Sequence, residues 1–501
     1  MKIFISLVIL ALLHSSKCYN DILVSSMDSS QGITLSSQLS NGAFGSYLRS
    51  AGDFNGDGYD DVIIGAFGAN LVAGETYVVF GSASGLSNLD VSSGMAASQG
   101  MVIKGKATGD QLGCSLSNAG DINDDGIDDI IIGALEAQGG KGVVYVIYGS
   151  ETLPPTIDLA TGLDQSQGFI VIGGGSLDNL GVSVSYAGDV NNDKIDDVII
   201  GASGAEGNKG AYYVIFGKKG ARSQLDLASG LSSSEGFVII GPSTAADLFG
   251  KSVSNAGDLD GDGVGDLILG AYGADNHKGA VYIIYGKSTF ATIDLGQGLD
   301  QSVGFTIVTG KPGTPQLGYS VRSAGDFNGD GRIDVIVGAH GENTLKGAAY
   351  VIFGMGRSSL LNIDLTSGID PDRGIRIAGT NAMEILGMSV SGAGDVNNDG
   401  IDDIIVSAPR GSGTAGTAYV IFGSKTFGSS EIVPANGLAP NEGFSIIGIN
   451  PDDFLGFSAD CAGDVNGNGM PDVIVGAHGV NVGTGAAYLL FSPRKRFEKG
   501  F

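Results

Sequence analysis

The sequence predicts an all-β protein, a seven-bladed β-propeller with four antiparallel strands in each blade. Three observations support this fold: an acidic nine-residue segment occurs seven times, its copies begin 68 or 69 residues apart, and four strand signals recur in the same order between copies. An even period along nearly the whole chain indicates one repeated supersecondary unit. Four strands repeated seven times are typical of a propeller, whose blades surround a central channel.

The third repeat illustrates the four strand signals. Residues 180–186 form strand A, which leads into the acidic segment, and residues 197–202 form strand B, whose nearly continuous apolar sequence predicts burial on both faces. Strand C spans residues 211–217, which are rich in β-branched and aromatic side chains, and strand D spans residues 236–241. Turn residues separate the strands and no helical period is present, so each repeat is expected to be one small antiparallel sheet.

The two ends of the chain predict how the ring closes. The seventh repeat has signals for strands A, B and C and then stops without a strand D. Before the first acidic segment, residues 32–35 match the strand D pattern and have no blade of their own. We therefore expect this N-terminal segment to form the outer strand of blade 7, which gives 28 strands (four in each of the seven repeats) and leaves no open sheet edge.

Each acidic segment is typical of a calcium-binding loop. The first copy, residues 53–61, reads D-x-N-x-D-G-x-x-D, with side-chain oxygens at positions 1, 3, 5 and 9 and a backbone carbonyl available at position 7. Ca²⁺ takes about six to eight oxygen ligands, and the glycine at position 6 supplies a left-handed turn. Position 12 is Ile64 rather than the Glu of an EF-hand, and strand B follows, so the loop joins two strands. One copy could equally be a solvated acidic turn, but seven copies in register favour a metal.

The sequence therefore predicts up to seven Ca²⁺ ions, one per blade. The predicted ligands occupy positions 1, 3, 5, 7 and 9 of the seven loops: Asp53, Asn55, Asp57, Tyr59, Asp61; Asp121, Asn123, Asp125, Ile127, Asp129; Asp189, Asn191, Asp193, Ile195, Asp197; Asp258, Asp260, Asp262, Val264, Asp266; Asp326, Asn328, Asp330, Arg332, Asp334; Asp395, Asn397, Asp399, Ile401, Asp403; and Asp464, Asn466, Asn468, Met470, Asp472. Loop 3 has Lys194 where glycine is expected, and loop 7 has only two aspartates among these positions. We expect sites 3 and 7 to bind Ca²⁺ most weakly, and loop 4, with four aspartates, to contribute more stability than loop 7.

Composition and charge exclude several classes of protein. The chain has 501 residues and a net charge of −27, which argues against nucleic-acid binding and against binding to anionic membranes. Residues 1–18 match a secretory signal peptide, residues 19–493 form the predicted propeller and residues 494–501 form a short basic tail. No other stretch has the length of a membrane span, so we expect a secreted monomer.

Cys114 and Cys461 lie in repeats that are not neighbours and are expected to be unpaired, small buried residues.

One repeat carries a family resemblance. Phe249-Gly250-Lys251-Ser252-Val253, Ala256-Gly257-Asp258 and Leu269-Gly270-Ala271 resemble the FG-GAP repeats of the integrin α-subunit propeller, and the resemblance extends over about residues 32–492. It implies Ca²⁺ in the loops and partner binding on the opposite face. The sequence departs from that pattern because all seven repeats carry a calcium loop and because it shows no leg domains or transmembrane helix. We therefore expect extracellular binding without signalling across a membrane.

Strand direction predicts where a partner binds. The A–B and C–D loops share one end of the propeller, which we call the calcium-loop face. The B–C turns and D–A loops share the other end, which we call the BC/DA face. Because the BC/DA loops differ between repeats on a rigid scaffold, we expect this face to bind a protein or a glycan, as an adhesion-type module does. Phe67 and Tyr272 are candidate anchors there, whereas Phe249 and Phe454 are expected to pack between blades.

Catalysis has little support in the sequence. It contains no H-x-x-x-H pair and no G-x-S-x-G elbow, and His277, His340 and His478 are interpreted as polar loop residues after strand B. The alternative function is an extracellular hydrolase or lyase, or a lectin, that uses the propeller face or the central channel. An acid/base pair at the channel mouth would favour an enzyme, and seven equivalent pockets would favour a lectin.

Overall fold

A computed structural model describes residues 21–84, 86–242 and 247–493, and it confirms the seven-bladed propeller. The predicted signal peptide (1–18) and basic tail (494–501) lie outside the described residues. In each blade strands A, B, C and D pair in this order and run antiparallel, and the A strands of all seven blades line the central channel. No described helix has the length and apolar character needed to cross a membrane.

The strand bounds are regular from blade to blade. The A strands are Tyr47–Gly52, Leu112–Gly120, Leu180–Gly188, Ser252–Gly257, Val321–Gly325, Val390–Gly394 and Ser458–Gly463. The B strands are Asp61–Ala66, Asp129–Ala134, Asp197–Ala202, Asp266–Ala271, Asp334–Gly338, Asp403–Ala408 and Asp472–Ala477. The C strands are Glu75–Val79, Val143–Ile147, Ala211–Ile215, Ala280–Ile284, Ala348–Ile352, Thr417–Ile421 and Ala486–Leu490. The D strands are Gly100–Lys104, Gly168–Ile172, Gly236–Ile240, Gly304–Val308, Gly374–Ala378, Gly443–Ile447 and, for blade 7, Gly32–Ser36.

Each sheet has a fifth strand that the sequence did not predict, so the expected count of four strands per blade is wrong. These short strands run parallel to strand D of one blade and are supplied by the segment that precedes strand D of the next blade. They are Ile22–Leu23, Leu89–Asp90, Thr156–Asp158, Leu225–Asp226, Ile293–Asp294, Ile363–Asp364 and Glu431–Ile432. Every outer sheet edge is therefore covered by a neighbouring blade.

The predicted ring closure is confirmed. Strand Gly32–Ser36 pairs antiparallel with Ala486–Leu490, the C strand of blade 7, over five residue pairs. Ile33 and Leu35 of this strand are almost fully buried. The first and last described segments of the chain thus form one sheet.

The hydrophobic core lies between successive blades. Each B strand is buried along its whole length, as its apolar sequence predicts. Between blades 1 and 2, for example, Ile63 and Val78 share a cluster with Leu116, Ile132 and Tyr145. Cys114 is buried and Cys461 is partly buried, and both are unpaired, in agreement with the sequence.

Short helical turns occur where the sequence indicated loops alone. Six four-residue turns follow strand B: Ala69–Val72, Ala137–Gly140, Ala205–Asn208, Ala274–His277, Glu342–Leu345 and Val480–Gly483. Within the described residues, seven 3₁₀ turns span Val24–Ser26, Val91–Ser93, Leu159–Thr161, Leu227–Ser229, Leu295–Gln297, Arg357–Ser359 and Pro434–Asn436. Most of the 3₁₀ turns directly follow a fifth strand, and four of them are capped by the side chain of its last aspartate.

Candidate calcium sites

The seven predicted loops all connect strand A to strand B at the same end of the propeller. Strand A ends in a bulge, because the residue that precedes Gly52 is skipped in the pairing with strand B. Gly52 itself has a φ of 66°, a conformation that glycine adopts without strain. The bulge turns the chain away from the ladder and places Asp53 at the start of the loop. The same glycine and bulge precede the other six loops.

The aspartate at position 1 closes each loop around its interior. In loop 1 the Asp53 carboxylate accepts hydrogen bonds from the backbone N–H groups of Asp57 and Gly58, both at 2.9 Å. The equivalent pair is present in all seven loops. In six loops the aspartate at position 5 accepts from the N–H of position 7, as Asp57 does from Tyr59 at 3.1 Å. The oxygens of these side chains therefore converge within a nine-residue turn.

The aspartate at position 9 anchors the loop to the blade. Asp61 is fully buried and accepts a hydrogen bond at 2.8 Å from the N–H of Gly81, which follows strand C. Burial raises the pKa of Asp61 to about 8, since the charged form loses its hydration. The same cause raises the pKa of the equivalent aspartates in the other loops, to about 7 for Asp472 and about 8 for the rest.

Two buried oxygens in the loops lack hydrogen-bond partners among the described residues. They are Oδ2 of Asp61, at position 9 of loop 1, and Oδ1 of Asn468, at position 5 of loop 7. An unpaired buried oxygen is costly, and both atoms belong to predicted calcium ligands. The donor set of these loops therefore fits a hard cation, which would also favour the ionised form of the buried carboxylate.

Loop 4 combines the densest carboxylate cluster with an internal cation. Single carboxylate oxygens of Asp258, Asp260 and Asp262 lie within 4.8 Å of one another. Arg357, from the C–D segment of blade 5, reaches this cluster: its Nε lies 2.5 Å from Oδ2 of Asp260 and its Nη2 lies 3.3 Å from Oδ2 of Asp262. The guanidinium also stacks over the ring of Tyr285, 4.3 Å from its centroid. Arg357 therefore neutralises part of the negative charge of the carboxylates that are predicted to bind a metal ion.

The two loops expected to bind most weakly each depart from the common geometry. Lys194 in loop 3 has a φ of 75°, as its replacement of glycine predicts, and its Nζ lies 3.6 Å from Oδ2 of Asp189. In loop 7 the Asn466 amide donates to both carboxylate oxygens of Asp472. The Lys194 ammonium in loop 3 and the Asn466 amide in loop 7 thus interact with carboxylate oxygens that are predicted to bind an ion. The expected order of affinities stays a prediction.

The aspartates at position 8 have a role that the sequence did not reveal. Asp128 accepts a hydrogen bond at 2.9 Å from the N–H of Asp53, at position 1 of the preceding blade's loop. Asp60, Asp196 and Asp402 make the same contact with the blade before theirs. In the Asp60–Asp61 pair, therefore, the first carboxylate links two blades and only the second is a predicted metal ligand. The signal was an aspartate at position 8 in four of the seven loops.

Of the candidate residues of the BC/DA face, Phe249 packs between blades as predicted, whereas Phe454 is partly buried and lies against a side chain of its own blade. Phe249 is buried and packs edge-to-face on Tyr212, with ring centroids 4.7 Å apart. Phe454 stacks on His478. Phe67 and Tyr272 remain partly exposed and contact Tyr47 and Tyr319, which line the mouth of the channel.

Two of the three described histidines are more buried than the predicted polar loop residues, whereas His277 is exposed as predicted. His340 and His478 are partly buried and pack against the rings of Tyr319 and Phe457, at centroid distances of 4.2 Å. Burial lowers the pKa of His340 to about 4, so its neutral form is favoured. The described residues that line the channel on this side include neither a carboxylate nor a histidine.

Parts of the sequence match a known repeat family and known proteins. Five segments match the FG-GAP repeat family, namely residues 50–79, 249–284, 317–352, 386–421 and 457–490. The chain is 32% identical to integrin alpha-V of Gallus gallus over 247 residues, which are 48% of this chain and 21% of that protein. It is 31% identical to integrin alpha pat-2 of Caenorhabditis elegans over 246 residues, which are 46% of this chain and 18% of that protein.

A relative of another kind also matches. The phosphatidylinositol-glycan-specific phospholipase D of Bos taurus is 31% identical over 222 residues, 42% of this chain and 24% of that protein. The chain thus spans about a fifth to a quarter of the length of these relatives. The matched repeats lie in blades 1, 4, 5, 6 and 7. Together with the homology to integrin alpha chains and the seven blades, they support an integrin-alpha-like propeller that contains FG-GAP repeats.

Proposed function

We propose that the protein is a secreted adhesion-type module that is stabilised by Ca²⁺ and binds an extracellular protein or glycan through its BC/DA face. Homology to integrin alpha chains supports the adhesion class. The convergent loop oxygens support Ca²⁺ at the opposite end. The positions named at 1, 3, 5, 7 and 9 of each loop would hold the ion, which would keep the ends of strands A and B together.

The observation that carries the assignment of the binding face is the backbone of the B–C turns. All seven turns contain three consecutive residues with positive φ. The middle residue is glycine in blades 2, 3 and 6, as this conformation favours, but it is Leu71, Asn276, Thr344 and Val482 in the others. A left-handed conformation costs a non-glycine residue about 1–2 kcal/mol. Strain of this kind is often found at binding sites.

Packing within the protein does not offset that strain. The side chain of Val482 is 96% exposed and that of Leu71 is 80% exposed. Leu177, Met383 and Ile449, in the D–A loops, add further exposed apolar side chains to the same face. Because these apolar side chains are largely exposed on a strained backbone, a partner that buries them would account for their presence.

The proposal is tested by screening an array of extracellular-matrix proteins and glycans with the full chain, with Ca²⁺ and with a chelator. The bound member is then titrated against the double variant Leu71→Gly/Val482→Gly and against Glu206→Lys, which changes an exposed B–C residue. The matched control is Asp372→Lys, an exposed residue of a C–D loop on the calcium-loop face. We expect binding to weaken at least about tenfold in the double variant, or in Glu206→Lys, with the melting temperature kept. Loss of binding in Asp372→Lys alone would place the site on the calcium-loop face and contradict the proposal.

A further inference from the structure

The central channel is lined by one residue from each A strand at the same level. These residues stand four positions before the first aspartate of each loop, and we call them the channel ring: Arg49, Ser117, Ser185, Ser254, Arg322, Ser391 and Asp460. The ring therefore contains four hydroxyl groups, two guanidinium groups and one carboxylate. Such a set is rich in hydrogen-bond donors.

The ring separates two cavities along the channel axis. The cavity toward the BC/DA face has a volume of about 310 Å³, and the cavity toward the calcium loops has a volume of about 340 Å³. Arg49 and Arg322 line both cavities. They belong to blades 1 and 5, which are three blades apart in the ring, so the two side chains lie on opposite sides of the channel. A ligand bound between the cavities would therefore lie between these two arginines.

Arg49 has a buried donor for which the described part of the chain supplies no acceptor. Nη1 of Arg49 donates to the carbonyl of Leu48 at 2.8 Å, whereas its buried Nε has no hydrogen-bond partner in the described part of the chain. That Nε lies 3.6 Å from Oδ2 of Asp460, which is a charge contact beyond hydrogen-bond distance. Arg322 donates through Nη1 to the carbonyls of Val253 and Val321, both at 2.9 Å. An acceptor bound in the channel beside Arg49 would satisfy its unpaired Nε–H group.

The charge of the channel is opposite to the charge of the chain. The chain carries a net charge of −27, but the charged residues that line the two cavities are Arg49, Arg322, Lys251 and Asp460. At the calcium-loop end the channel-lining Gly325 lies against the carboxylate of Asp402. An anion would therefore enter from the BC/DA face, past Lys251, and would be repelled beyond the ring.

We propose that the channel ring binds a small oxyanion of the carboxylate type between Arg49 and Arg322. A guanidinium offers a planar pair of donors that matches two oxygens of such an anion. The serine hydroxyls of the ring supply further donors. Asp460 is held by a hydrogen bond from Ser391 and competes with the ligand for Arg49. The site is independent of the apolar side chains of the B–C turns.

The experiment is isothermal titration calorimetry of the full chain with succinate, in a Ca²⁺ buffer whose ionic strength is matched with sodium chloride. We expect saturable binding of one succinate per chain, which Arg49→Gln and Arg322→Gln weaken roughly ten- to a hundredfold, because each variant removes a charge-assisted hydrogen bond. The control is Arg410→Gln, an exposed arginine of the BC/DA face outside the channel, which should leave the affinity unchanged. Absence of saturable binding in the wild type, or equal affinities of Arg322→Gln and Arg410→Gln, would overturn the proposal.

A further variant distinguishes a specific loss of succinate binding from loss of the fold. Asp460→Asn removes the competing carboxylate, so it should tighten succinate binding severalfold, an effect that misfolding does not produce. Thermal unfolding without succinate shows which variants are folded. If Asp460→Asn is folded and binds succinate no more tightly than the wild type, Arg49 and Asp460 form only a structural pair and the proposal is wrong.

Discussion

The closure of the ring by the N-terminal strand gives a quantitative prediction for Leu35→Ala. Leu35 is fully buried in the cluster between blades 7 and 1, and its backbone pairs with Ala487 near the other end of the chain. Truncation of a fully buried Leu to Ala costs about 2–5 kcal/mol, from lost transfer free energy and from the cavity left behind. We expect Leu35→Ala to lower the free energy of unfolding by this amount in urea titrations followed by circular dichroism.

The matched control is Ile103→Ala. Ile103 occupies the same position in strand D of blade 1 and is equally buried, but that strand has no part in closure. If the N-terminal strand closes the ring in solution, the two variants lose similar stability. A loss below about 0.5 kcal/mol for Leu35→Ala, beside a full loss for Ile103→Ala, would refute the closure. Deletion of residues 19–36 should go further and cause aggregation or loss of cooperative unfolding, because it uncovers the edge of strand Ala486–Leu490.

Four further predictions concern the loops and turns. Removal of Ca²⁺ by a chelator should lower the melting temperature, since each site with a Kd of roughly 10⁻⁴ M contributes about 1.4 kcal/mol at a tenfold excess of the ion; an unchanged melting temperature would show that the loops hold no ion. Asp128→Ala should cost about 1–3 kcal/mol in urea unfolding because it removes the acceptor of the N–H of Asp53. Asp128→Asn, which keeps an acceptor oxygen, should cost less, and equal effects of the two variants would contradict the interblade role. Arg357→Gln should raise the Ca²⁺ affinity of loop 4, measured by terbium luminescence with competition by Ca²⁺, and an unchanged affinity would mean that the arginine does not compete. Val482→Gly should change the unfolding free energy by less than about 1 kcal/mol. The strain of the positive φ at Val482 is relieved, and this gain offsets the conformational entropy that glycine adds to the unfolded chain. A larger loss of stability would show that the Val482 side chain packs against the protein.

Much of the fold was predictable because the same weak sequence signals recur in all seven repeats and reinforce one another. A single Ala-Gly-Asp triplet carries little information, but seven at 68 or 69 residues fix the number of blades and the place of every A–B loop. The B strands were recognisable since their apolar sequence is continuous and they are buried on both faces. Closure followed from a missing strand at one end and a spare strand at the other, which are features of the whole chain rather than of any one segment.

The features that escaped prediction depend on contacts between blades. A fifth strand such as Leu225–Asp226 has two residues, too few for an alternating pattern, and its partner lies in another blade. Arg357 and Asp260 are 97 residues apart, so no local motif joins them. The left-handed turns were hidden for a different reason: Leu71 and Val482 belong to residue types that avoid positive φ, so their identity indicated another backbone. In each case the three-dimensional neighbour, and not the local sequence, determines the structure.

The closing strand has a consequence for synthesis of the protein on the ribosome. The N–H of Ser445 donates a hydrogen bond to the side chain of Asp21, 424 residues earlier. The partner of strand Gly32–Ser36 is strand Ala486–Leu490, which is synthesised still later. At about 5–20 residues per second, the first strand emerges roughly 20–90 seconds before its partner exists. During that interval the nascent chain exposes an unpaired apolar strand, which is a hazard for pairing between chains on the same messenger. Because its partner strand belongs to the last blade, strand Gly32–Ser36 stays unpaired until that blade has been synthesised.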